Sequence, residues 1–126
     1  MQSKIYKAGF YLLVVFYGVG GINHFINPEF YLPLIPDYLG DKSLINTLAG
    51  LAELILAGGL LIRKTRKLAV YGILLMLIAF IPSHVYFIQI GGCVPDGLCA
   101  PVWVGWVRLV IIHPLLMLWA WIYRDF

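Results

Sequence analysis

The sequence predicts an all-α membrane protein, a four-transmembrane-helix bundle with a Pro-rich outer flap between helices 1 and 2. Three observations predict it. Of 126 residues, 62% are hydrophobic and only 12% charged, whereas a soluble domain carries about 45–50% apolar and about 25% charged residues. A chain this short cannot hide so much apolar surface inside a water-facing globule. Four separate stretches approach the roughly 20 apolar residues needed to cross about 30 Å of hydrocarbon. All but Arg108 of the basic residues lie at the termini, near the span ends or in the short connections. These features exclude a soluble enzyme, a disordered segment and a nucleic-acid binder.

Each element has a local reason. The first span, 6–24, follows Lys4 and Lys7 and imitates a signal peptide. It lacks a small-x-small cleavage site and is long and aromatic, so it is expected to be retained. The flap, 25–42, holds Pro28, Pro33 and Pro36, which prevent a continuous helix, and aromatics suited to a membrane–water interface. Asp41 and Ser43 are good N-cap types for the second span, 43–62. A basic turn, 63–67, leads to the third span, 68–90. The loop 91–101 carries both cysteines, and Pro101 opens the fourth span, 102–123, at a position where proline is tolerated. Residues 1–126 thus read as one transmembrane domain.

Lys4, Lys7, Arg63, Lys64, Arg66, Lys67 and Arg124 fall on one side of this arrangement, and only Lys42 on the other. Both termini and the basic turn are therefore expected in the cytoplasm. The net charge of +3 is explained by topology and anionic lipid headgroups, with no nucleic-acid partner.

Within the spans Asn23, His24, Glu53, Ser83, His84, Arg108 and His113 break the apolar pattern. Ionisable residues in a membrane are costly and normally face the bundle interior or a wet cavity. Counted from the outer helix ends, Glu53, His84 and Arg108 lie roughly 9–15 Å deep at 1.5 Å per residue. His24 closes the first span at the same surface. Every span thus contributes a polar group to the outer half. Glu53 and Arg108, opposite in charge and similar in depth, are expected to contact each other directly or through one bridging histidine or water. The histidines are placed to add hydrogen bonds or proton exchange. Two readings stay open: interhelical glue, or a ligand- or proton-handling site at His24, Glu53, His84, Arg108 and Asn23. Gly18, Gly21 and an Ala49–Glu53–Ala57 stripe suit close helix contact, and Pro82 and Pro114 should bend their helices. His113 is read as lying outside the site, because five residues place it on a different α-helical face from Arg108.

Cys93 and Cys99 flank turn-forming Pro95-Asp96-Gly97. On an oxidising side they are candidates for a disulfide, as a stapled loop or an exchangeable redox pair. No spacing of His and Cys fits zinc, so no metal is expected. Phosphate-loop, dinucleotide, nucleophile-elbow and His-Glu-x-x-His motifs are all missing, which removes the common enzyme classes and leaves catalysis undecided.

One set of segments carries a family resemblance. It comprises Gly20-Gly21-Ile22-Asn23-His24-Phe25 with Pro28, Phe30 and Pro36; Gly50-Leu51-Ala52-Glu53-Leu54 before Gly58-Gly59-Leu60-Leu61-Ile62; Pro82-Ser83-His84-Val85-Tyr86; and Trp106-Val107-Arg108-Leu109. In this order they cover nearly the whole chain, which resembles the DoxX-type membrane proteins, in particular short four-span bacterial ones. The resemblance implies a four-helix bundle, a site near His24, Glu53, His84 and Arg108, and a bacterial inner (plasma) membrane. Some members of that family associate with quinone-linked or thiol-linked redox systems, and the animal chaperone of nicotinic receptors is a distant relative. The Cys93–Cys99 loop is not part of the shared pattern.

Two functions follow as expectations. One is a binder of a small amphipathic molecule, a quinone or lipid, or a redox-accessory subunit, acting through the outer polar site. The other is a non-enzymatic scaffold or chaperone-like assembly factor for membrane-protein partners, with homo-oligomerisation as a further form of assembly.

Overall fold

The computed structural model describes residues 2–126, which fold almost entirely into helices. Helix α1 (Lys4–Ile26) starts at Ser3, whose Oγ accepts the Tyr6 N–H at 3.1 Å, a side-chain cap for an otherwise unpaired donor. It stops at Asn27 because Pro28 follows, and a residue before proline is driven out of helical geometry. Pro28 itself opens the short α2 (Pro28–Tyr31). Two single 3₁₀ turns, Leu32–Leu34 and Asp37–Leu39, continue the segment, which buries Ile35 and Pro36. Gly40 turns the chain with φ +95°, and Asp41 caps α3 (Lys42–Leu61) by accepting the Leu44 N–H.

The third long helix is broken at Phe80 into α4 (Arg66–Ala79) and α5 (Ile81–Gln89). Pro82 is the cause, since its ring and missing N–H interrupt the ladder one turn earlier. The fourth comprises α6 (Val102–Val107), a π turn at Arg108–Ile112, and α7 (His113–Trp121). Pro114 sits immediately after that turn, and the widened ring of hydrogen bonds accommodates it. Helix α1, helix α3, the paired α4–α5 and the α6–α7 unit are each long and apolar enough to cross a membrane.

The two ends of the bundle differ. Around the termini, Phe10, Leu13, Leu60, Val70 and Ile73 form a fully buried core. There the Tyr6 hydroxyl donates to the Ile122 carbonyl and the Tyr123 hydroxyl donates to the Tyr6 carbonyl, both at 2.8 Å. Arg66 donates from Nε to the Leu60 carbonyl at 2.7 Å and from Nη1 to the Phe126 carbonyl at 3.1 Å. Its guanidinium lies over the Phe10 and Phe126 rings. Sequence reasoning placed Arg66 simply in a basic turn; it is instead a partly buried tie between α3 and the C-terminus.

At the opposite end the backbone turns through Gly91 and Gly92, both at positive φ. The sulfurs of Cys93 and Cys99 lie at disulfide distance there, and the two residues form an isolated antiparallel bridge. This end is hollow.

Candidate functional site

Helices α1 and α3 approach closely where Gly21 and Gly50 each leave no room for a side chain. A Cβ at Gly21 would stand 3.0 Å from the Gly50 carbonyl oxygen, and one at Gly50 would stand 2.8 Å from His24 Cβ. This close approach brings His24, three residues along from Gly21, against α3. Gly18, expected in the same contact, faces open space instead. On α3 the buried face is Asn46, Gly50, Glu53, Ala57 and Leu60, alternating steps of four and three that mark one side of a helix.

Two polar side chains of that face hold His24. The Asn46 Nδ2 donates to the His24 carbonyl at 2.9 Å, and Asn46 Oδ1 lies 2.7 Å from His24 Nδ1. The other ring nitrogen, Nε2, faces Glu53 Oε2 at 3.5 Å, an ion-pair distance longer than a formed hydrogen bond. Tyr31 stacks on the imidazole with ring centroids 3.8 Å apart. Its hydroxyl accepts from Asn23 Nδ2 at 2.6 Å, and Asn23 Oδ1 accepts from Asn27. Asn23 therefore orients Tyr31 and stands behind the site. Asn46 does what was expected of Asn23. Its signal was in the sequence: it precedes Glu53 by seven residues, two helical turns on one face.

These groups line a cavity of about 390 Å³, within the size range of small-molecule sites. His24, Asn46 and Glu53 reach it from α1 and α3, and Ser83, His84 and Arg108 from α5 and the π turn. Apolar side chains fill the gaps: Phe16 from α1, Ile45 from α3, Phe80 from the break, and Phe30, Leu34 and Ile35 from the 27–41 segment. The break at Phe80 exposes its ring and the following Ser83 and His84 to this space. Gly20 completes the wall, since a Cβ there would stand 3.0 Å from Glu53 Oε2.

The direct form of the expected Glu53–Arg108 pairing is not made. Among the described residues, the carboxylate's ion-pair partner is His24, and Arg108 has no acidic partner at ion-pair distance. Arg108 instead lies over the Phe87 ring at 5.5 Å. Depth along the chain matched the two charges, but whether they meet also depends on how each helix is rotated against its neighbours. Glu53 Oε2 is buried without a hydrogen-bond partner.

His113 is fixed elsewhere. Its Nε2–H donates to the Leu77 carbonyl, close to the break in the third long helix, and its ring meets His84 edge-on with centroids 4.8 Å apart. In an α-helix, five residues separate two side chains by about 140°. The π turn shortens that offset, because His113 N–H bonds the Arg108 carbonyl. His113 thus stands behind His84 and off the cavity wall. Among the described residues no group of three His, Cys, Asp or Glu is placed to hold a metal ion.

Neither a curated protein nor a solved structure matches this chain. A family model does match, over residues 13–124, and those residues include every group on the cavity wall. The chain belongs to the family described as Domain of unknown function (DUF8561).

Proposed function

We propose that this protein binds a small amphipathic molecule, a quinone or a lipid, in the cavity between its four long helices. One observation carries the reading: a largely apolar space of about 390 Å³ into which Glu53 and Arg108 face without pairing each other. Ionisable groups this far into an apolar bundle are costly unless they serve a partner or a ligand. Arg108 offers a forked donor to a carbonyl or anionic oxygen. His24, Glu53 and His84 supply hydrogen bonds and a proton. The apolar remainder suits a ring or the first carbons of a chain.

In this reading the cavity lies in the outer half of the membrane, with both termini and the 63–67 turn cytoplasmic, as the bias of basic residues implies. The Pro-rich segment is then the flap that roofs the site, contributing Phe30, Tyr31, Leu34 and Ile35. The DoxX-like resemblance supports a bacterial inner membrane and a redox-accessory role, in which the ligand is a quinone held for a partner enzyme.

Assembly is the second reading, favoured by the fourth helix. Only 11% of its apolar window is buried, and Trp103, Val110 and Ile111 are all exposed. A scaffold or chaperone-like factor would use such a face against another membrane helix.

Thermal unfolding in detergent tests the binding reading, with a short-tailed benzoquinone and palmitate as separate probes. A ligand at 100 times its dissociation constant stabilises the folded state by about 2.7 kcal/mol. A rise in Tm with either probe in the native chain, reduced in Arg108→Leu, is expected. No rise with either probe counts against the site.

A further inference from the structure

The hydrogen bonds around His24 determine which of its ring nitrogens carries hydrogen. A backbone carbonyl oxygen only accepts, and so does a side-chain amide oxygen. The Asn46 atom 2.9 Å from the His24 carbonyl is therefore its amide nitrogen. The opposite orientation would set two oxygens against each other. Asn46 Oδ1 then faces His24 Nδ1 at 2.7 Å, and Nδ1 must donate. Nδ1 thus keeps its hydrogen in either charge state.

The consequence falls on Nε2. In the neutral ring it presents a lone pair, 3.5 Å from Glu53 Oε2, which is itself buried without a hydrogen-bond partner. Two lone pairs facing each other in a poorly solvated interior repel, and an ionised carboxylate there is uncompensated. A single proton placed on either atom makes the contact attractive, as imidazolium with carboxylate or as imidazole with carboxylic acid. A second proton would leave the pair with an uncompensated positive charge.

We infer that His24 and Glu53 share one proton on the cavity wall, that Asn46 is the positioning residue directing it toward Glu53, and that this pair is the proton donor to a bound ligand oxygen. Only the last clause rests on the binding reading. Transfer breaks the Nε2–H bond and forms an O–H bond on the ligand. The imidazole returns to its neutral Nδ1–H form, Glu53 stays ionised, and the new O–H donates back to Nε2. Arg108 and His84 line the same cavity and are available to hold a second ligand oxygen. The ligand class this selects is a molecule with an anionic oxygen, such as a carboxylate, able to accept both a proton and a guanidinium.

Nitrogen-15 NMR of labelled histidine, on the full chain in lipid nanodiscs without added ligand, tests the shared proton. His24 should show a protonated Nδ1 throughout. Glu53→Gln should move its Nε2 resonance toward that of a bare lone pair. Asn46→Leu should release a mixture of the two tautomers. A native His24 with bare Nδ1 and protonated Nε2 overturns the inference, as does an Nε2 resonance unmoved by Glu53→Gln. Addition of a short-tailed benzoquinone or of palmitate should then shift Nε2 in the native chain. Silence with both overturns the donor role together with the binding reading, while the ligand-free spectra decide the shared proton separately.

Discussion

At position 50 a hydrogen atom in place of a side chain decides how closely α1 and α3 approach. Gly50→Ala would set its methyl 2.8 Å from His24 Cβ and Phe25 Cε2, while Gly58 on the same helix has nothing within 4 Å. Overpacking costs about 1–3 kcal/mol, whereas alanine at a free helical position is favoured by about 1 kcal/mol. Gly50→Ala should lower Tm in detergent, and Gly58→Ala should leave it unchanged or raise it. Equal effects of the two would remove the close-contact account. Arg66 makes an equally local prediction. Lysine keeps the charge but cannot supply Nε and Nη1 to two carbonyls while lying over two rings. Arg66→Lys should lower stability by about 1.5–3 kcal/mol, the worth of a charged hydrogen bond, as read by chemical denaturation in micelles.

At the scale of the helix, hydropathy and proline positions were legible and helix phase was not. Four apolar runs, the Asp41 end and the break beside Pro82 follow from side-chain chemistry that acts within a turn or two. Which groups Arg108 meets depends on how each helix is rotated against its neighbours, and a π turn alters that rotation without any motif to announce it. The same limit hid Asn46, whose partner His24 is 22 residues away. Depth within the span, by contrast, is a one-dimensional count along the chain, so residue spacing alone assigns His24, Glu53, His84 and Arg108 to one level. They do share one cavity. The contact from His113 to the Leu77 carbonyl ties the fourth long helix to the break in the third. His113→Leu would remove that bond and leave the Leu77 carbonyl with the Phe80 N–H alone, a loss of about 0.5–1.5 kcal/mol, with the greatest rise in hydrogen exchange expected around residues 77–81. A uniform change across the bundle would instead point to a general packing defect.

Over the whole molecule, an aromatic, hydrogen-bonded end stands opposite a hollow one, and this asymmetry matches the distribution of charge. Basic residues cluster at the sealed end, where Lys67 and Arg124 both reach Asp125. The positive-inside bias predicts that a cysteine at position 64, in a Cys93→Ser, Cys99→Ser background, is labelled by a membrane-impermeant thiol reagent only after the cytoplasmic face is opened. Labelling from outside intact cells would invert the arrangement. In the otherwise native chain, Cys93 and Cys99 should resist the same reagent until a reductant is added.

The hollow end holds the central claim, that the cavity walled by Glu53 and Arg108 accommodates a small amphipathic molecule. Native mass spectrometry of gently solubilised protein tests it most directly, comparing the native chain with Ala49→Phe, which places a ring in the cavity. The native chain should carry a discrete adduct of quinone or lipid mass at one per bundle. That adduct should disappear from Ala49→Phe while the protein stays folded. A bare native chain, or an adduct that survives the filled cavity unchanged, would contradict the account.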